Sequence, residues 1–213
     1  MNADPGLRER KKQQTRELIA EVANRLFLER GFDAVKVADV ASAANVSEGT
    51  VFNYFPTKED LFYGRLETFE ASLVDAVRDR PADESILAAF RRFIDDRTGR
   101  LAAEEVADLI AAAAGIVAAS PALQARERDV VDGYTRSLAA VLADQTGARP
   151  GDVEPAVVAG ALMGAHRAVV EHVRASVLQG KRGRRLATSA RAQAERAFAR
   201  LERGLDDYGV GSS

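Results

Sequence analysis

Apolar residues recur at three- and four-residue spacings along almost the whole chain, and no stretch alternates residue by residue like a half-buried strand. The clearest stripe comes first. Leu18, Ile19, Val22, Ala23, Leu26 and Phe27 predict one face of a helix from about 8 to 30, stopped by Gly31. A short helix comes next over about 37–44, with Val37, Val40 and Ala41 facing inward. Asn45-Val46-Ser47 then reads as a tight turn: Asn tolerates left-handed backbone, and Ser47 can cap the next helix. That third helix, about 48–54, is cut off by Pro56. Val37, Val40, Val46, Val51, Phe52 and Phe55 are the apolar residues expected to hold these three helices together.

Thr57 and Asp60 make a near-capping box, with Asp in place of the usual Glu. It predicts a long fourth helix over 57–80, whose stripe Leu61, Phe62, Leu66, Phe69, Leu73 and Val77 runs up to Pro81. Further helices are expected over about 84–97, 102–119, 122–145, 153–179 and 185–208. They are separated at Thr98-Gly99, Ser120-Pro121, 147–151 and 180–183. The expected fold is therefore all-α with about nine helices. Residues 8–56 form a three-helix helix-turn-helix domain and 57–208 a regulatory and dimerisation domain, with the helix 57–80 connecting the two.

Composition narrows the class without changing this picture. With 46% hydrophobic and 29% charged residues the chain has ordinary globular values. It has no cysteine, so neither a disulfide framework nor a thiol nucleophile is available. The weakly polar runs 106–119 and 156–165 are too short to span a bilayer, and the polar start Met1 to Gly6 lacks a signal-peptide core. A cytoplasmic protein without membrane contact is expected. The formal net charge of −2 argues against a chain that is basic all over, yet Arg8, Arg10, Lys11, Lys12 and Arg16 are concentrated at the first helix. No Ser/His/acid order, phosphate-cradling glycine loop or Glu-x-x-His pair supports an enzyme.

Two short helices around a turn residue that can go left-handed match a helix-turn-helix. The residues say more than the spacing. Gly31-Phe32, Val37-Ala38-Asp39-Val40-Ala41 and the run Ala44 to Leu61, with its aromatic-x-Tyr-Phe-x-x-Lys-x-x-Leu ending, closely resemble the TetR family of transcriptional regulators over about 15–66. The resemblance implies a homodimeric repressor that binds a palindromic double-stranded DNA operator and releases it when a small, hydrophobic effector enters the C-terminal domain. An activator, or a regulator acting through a protein partner, remains an alternative. Carried over, Ser47, Gly49, Thr50 and Asn53 face base edges and nearby phosphates, Tyr54 meets the DNA backbone, and Lys58 pairs with a phosphate.

Three departures stand out. Lys36 replaces a capping Thr, so that cap is lost, and a phosphate contact by Lys36 is its substitute. Ala38 removes a polar contact. Glu48 stands where a cation is usual; it either accepts from a cytosine amino group or supports the helix N-terminus.

In the C-terminal half, Val157, Gly160, Ala161, Gly164 and Ala168 form a face of small residues that lets two helix axes approach. Ala190, Ala197 and Leu201 supply a matching stripe on the last helix, which together give a four-helix dimer interface. Phe69, Phe90, Phe93, Ile110, Ile116, Tyr134, Leu162 and His166 are expected to line an effector pocket, with His166 and Arg167 as anchors for a carboxylate or phosphate. Ser120-Pro121-Ala122-Leu123 with Arg126-Glu127 resembles a TetR subgroup associated with acyl-CoA-like ligands. No cofactor is expected. His166 and His172 lie six residues apart, about 240° around a helix, which suits no shared metal ion.

Overall fold

The computed structural model describes residues 6–64 and 66–205, without the side chains of Leu7, Glu9, residues 66–71, Arg203 and Leu205. Its secondary structure is helical throughout, with ten α-helices among the described residues. They are α1 (Leu7–Arg30), α2 (Val37–Ala43), α3 (Glu48–Tyr54), α4 (Lys58–Tyr63), α5 (Leu66–Arg78), α6 (Ile86–Arg100), α7 (Glu104–Ala119), α8 (Pro121–Thr146), α9 (Glu154–Leu178) and α10 (Gly183–Leu205). No single helix among them is long and apolar enough to cross a membrane.

The tenth helix arises because the expected 57–80 helix is described in two parts, with Arg65 between them outside the described residues. α4 ends at Tyr63 and α5 starts at Leu66. Gly64 marks the junction: a Cβ there would come within 2.5 Å of Phe55 Cε1, so the Phe55 ring occupies the space a side chain would need. The Gly64 backbone itself keeps right-handed helical angles, φ −57° and ψ −23°. At Thr98-Gly99 the reverse occurs, and α6 runs on to Arg100. Thr98 is buried and its hydroxyl donates to the Asp95 carbonyl, which lets it stay inside the helix.

The chain divides into two compact units. The first comprises residues up to 69 together with 116–127; the second comprises 70–115 and 128 onward.

In the first unit α1 packs on α2 and α4, and α2 on α3. Ile19, Val22, Ala23, Leu26 and Phe27 are buried, whereas Leu18 is 48% exposed. The stripe is thus narrower than the periodicity predicts: Leu18, 100° from Ile19, falls off its edge. Phe27, Phe32, Phe62 and Tyr63 build an aromatic cluster with ring centroids 5.1–6.2 Å apart. Residues 116–127 join this unit through α4. The buried Tyr63 hydroxyl donates to the Leu123 carbonyl at 3.0 Å, and Arg126 Nε lies 2.6 Å from Asp60 Oδ1. Ser120 accepts from Leu123 N–H at 3.3 Å, capping the start of α8.

In the second unit α10 packs against α9 and α6, and α6 also meets α9. Ile86, Phe90, Phe93 and Ile94 on α6, Leu162, Val169 and Val177 on α9, and Leu186, Ala190, Ala194 and Phe198 on α10 form its core. The Phe90 and Phe198 rings meet edge-on at 6.0 Å.

Candidate nucleic-acid interface

The turn before α3 has the backbone its sequence predicts: Asn45 has a positive φ of 54°, alone in this among the described non-glycine residues. Val46 N–H then donates back to the Ala41 carbonyl, which closes the turn. Ser47 Oγ accepts from Thr50 N–H at 3.0 Å, and the two hydroxyls lie 2.8 Å apart. Ser47 is therefore both cap and partner of Thr50. Before α2, the Lys36 side chain makes no cap, as expected. Half of a capping box survives nonetheless, because the Asp39 carboxylate accepts the Lys36 backbone N–H at 2.8 Å. The box at α4 is complete: Asp60 N–H to Thr57 Oγ1 at 3.1 Å, and Thr57 N–H to Asp60 Oδ2 at 2.9 Å.

Val51 within α3 and Phe55 just after it are buried, but Phe52 is 47% exposed. This corrects the expectation that Phe52 is core. Successive helical residues differ by 100°, so Phe52 cannot share the inward direction of Val51. Glu48, Gly49, Phe52 and Asn53 are instead all exposed. With Glu48 and Gly49 four and three residues ahead of Phe52, they form one face.

What holds that face in place is a residue expected only to supply charge. Arg16 Nη1 donates to the Tyr54 carbonyl at 2.8 Å, and its guanidinium lies 4.3 Å from the centroid of the Phe55 ring. Arg16 thus ties α1 to the C-terminal end of α3, where a backbone carbonyl has no helical partner. Its placement one turn before the buried Ile19 was the available signal. Tyr54 is half-buried. Lys58 lies with its ammonium 4.2 Å above the Phe32 ring and 5.9 Å from that of Phe27. Lys36 is exposed beside this region of the sequence. Near the start of α1, Arg8, Arg10, Lys11 and Lys12 are exposed.

The second unit gathers only part of the expected pocket. Phe90, Phe93, Tyr134 and Leu162 are buried there, and Ile110 is half-buried. Ile116 belongs to the first unit instead, and the Phe69 side chain lies outside the described residues. His166 is not joined by Arg167, which is 67% exposed and faces Glu171 at 3.7 Å. Its cationic neighbours are Arg97 and Arg174. Burial first, then these two guanidiniums, lowers the imidazole from its usual range to about 4. Arg97 lies 4.8 Å over the Phe93 ring. The residues Ser120, Leu123 and Arg126, expected to mark a ligand type, bond within the first unit as described above.

Val153, just before α9, and Val157, Gly160, Gly164, Ala168 and Leu178 on it are exposed. A Cβ added at Gly160 or Gly164 would meet nothing within 4 Å. Ala161 is half-buried, as are Ala197 and Leu201 on α10. Ala190 has no surface left for a partner, which corrects its place in an intersubunit stripe. The i, i+4 row from Leu186 through Ala190 and Ala194 continues to Phe198, and that bulky end turns the row inward. His172 Nε2 lies 2.8 Å from Ser189 Oγ, and no group of metal-ligating side chains occurs among the described residues. In the link between α9 and α10, Arg182 is engaged with Asp108 at 2.7 Å and with the Val177 carbonyl.

Residues 19–63 match the family described as bacterial regulatory proteins, tetR family, and residues 84–206 match the MftR C-terminal domain. The putative mycofactocin biosynthesis transcriptional regulator MftR of Mycobacterium tuberculosis is 28% identical over 170 residues, covering 76% of this chain and 81% of that protein. Among solved structures, NalD, the secondary repressor of the MexAB-OprM efflux pump in Pseudomonas aeruginosa, superposes with a TM-score of 0.55 at 20% identity, covering 91% of this chain and 98% of NalD. The regulator FadR of Bacillus subtilis, solved with stearoyl-CoA, gives 0.55 at 18% identity, covering 86% of this chain and 97% of FadR. These two likenesses concern the fold.

Proposed function

We propose that this chain, which belongs to the tetR family of bacterial regulatory proteins, is a repressor that binds a palindromic operator as a homodimer and leaves it when a small hydrophobic effector is bound. The observation that carries the operator reading is the division of α3. Val51 and Phe55 anchor it inward, Ser47 and Arg16 fix its two ends, and Glu48, Gly49, Phe52 and Asn53 are left outward on a helix short enough to enter a major groove. Ser47, Thr50, Tyr54, Lys36 and Lys58 then serve the nearby backbone, and the basic start of α1 adds phosphate neutralisation.

The exposed α9 face supports the dimer. Val157 is 62% exposed beside two glycines whose Cβ positions are open, an arrangement a second copy of α9 can cover at close range. For the effector, the buried apolar residues of the second unit and the cations near His166 suit a long apolar tail with an anionic head. FadR of Bacillus subtilis was solved with such a molecule, stearoyl-CoA.

Selection of bound duplexes from a random pool tests the operator reading: an inverted repeat should emerge, and a pool that enriches nothing overturns it. Stearoyl-CoA added to the selected complex should release the DNA. Retention at saturating concentrations rejects that effector class.

A further inference from the structure

Phe52 is the one aromatic residue among the exposed large hydrophobic side chains of the described residues. A single exposed apolar side chain is ordinary on a protein surface. An exposed phenyl ring at the fifth position of a seven-residue helix, on the face left free by every anchoring contact, has a narrower use. One turn earlier lie Glu48 and Gly49. A Cβ at Gly49 would meet only Ser47 Oγ, at 3.8 Å, so the ring is flanked by open space rather than by a second bulky side chain. Asn53 comes directly after it. The helix Glu48–Tyr54 carries no cation, so its free face has acceptor, amide and apolar chemistry only. Charge attraction to phosphate is not what this face offers.

In the major groove the base edges present donors, acceptors and a single apolar group, the C5-methyl of thymine. Resting on the operator reading above, we propose that Phe52 is a specificity-determining residue whose ring packs against a thymine methyl in each half-site. The neighbouring Glu48 and Asn53 are left to the polar edges of adjacent base pairs.

Deoxyuridine differs from thymidine by this methyl alone, so it tests the contact without altering the protein. Duplexes selected by the wild-type chain are resynthesised with each thymine in turn replaced by deoxyuridine, and affinity is read by fluorescence anisotropy. At one thymine per half-site the replacement should weaken wild-type binding about three- to fivefold, the scale of one buried methyl. Phe52→Ala should bind the thymine and uracil duplexes equally, and Phe52→Leu should keep part of the preference. Tolerance of every replacement by the wild-type chain overturns the assignment. So does a uracil penalty that persists undiminished in Phe52→Ala, or a Phe52→Ala loss with no thymine-specific part. A pool that enriches no sequence fails earlier: it overturns the operator reading itself. An enriched operator insensitive to uracil overturns only the role of Phe52.

Discussion

Arg16→Ala distinguishes a residue that positions the reading helix from one that grips DNA. The wild-type side chain makes a charge-assisted hydrogen bond to the Tyr54 carbonyl at 2.8 Å and covers the Phe55 ring at 4.3 Å. A hydrogen bond to a charged group contributes about 1.5–3 kcal/mol, and a cation over a partly exposed ring about 0.5–1 kcal/mol. The two share one guanidinium and do not simply add, so a loss of about 2 kcal/mol is expected. In thermal unfolding that corresponds to a fall of roughly 4–8 °C. Operator affinity falls as well, because the competent arrangement of α3 is then only part of the population, by at most about thirtyfold per protomer. The salt dependence carries the distinction. A lost phosphate contact lowers the slope of log K against log salt by about 0.9 per protomer, whereas loss of a positioning contact leaves it unchanged. Anisotropy titrations between about 50 and 200 mM salt resolve this difference. An unchanged melting temperature together with a reduced slope would falsify the positioning role and return Arg16 to the basic arm.

Three other contacts lead to outcomes of their own. Gly164→Leu should leave the fold intact, since its Cβ direction is open, yet raise the monomer fraction in sedimentation; an undisturbed dimer moves the interface away from α9. Tyr63→Phe removes a buried hydrogen bond that the Leu123 carbonyl accepts in addition to its helical one and should cost about 0.5–1.5 kcal/mol, so a melting temperature equal to wild type contradicts the role of that bond. His166, held near 4 in the folded chain against 6.5 when unfolded, contributes stability that is complete above about pH 6.5 and lost as pH falls towards 4. The loss is at most about 3 kcal/mol. The pH dependence in that window should shrink in His166→Leu, and identical profiles in the two proteins refute it.

Much of this molecule was legible as periodicity and punctuation. Gly31, Asn45, Ser47, Pro56 and Thr57 each impose a local backbone or cap whatever the tertiary context, and the structure has a boundary at each. The family resemblance likewise rests on local residues. What escaped is what depends on direction to within a fraction of a turn. Leu18 and Phe52 sit 100° from buried neighbours, and composition alone cannot say on which side of a stripe they fall. Ala190 was misplaced for a related reason. A small residue fits an intersubunit contact and a tight intrasubunit one equally well, and only the Phe198 ring one row further decides between them. Partnerships remote in sequence were hidden altogether: Arg16 with Tyr54 and Arg97 with His166 have no local signature.

Asp60 caps α4 with one carboxylate oxygen and grips Arg126 with the other. For anyone building hybrid regulators, this makes the reading head a two-piece cassette. A splice at a single point after α4 would pair the native Asp60 and Tyr63 with a foreign stretch in place of 116–127, leaving one phenol and one carboxylate to find new partners. Transplanting residues up to 69 together with 116–127 keeps both bonds, and keeps with them the support on which the start of α4 rests.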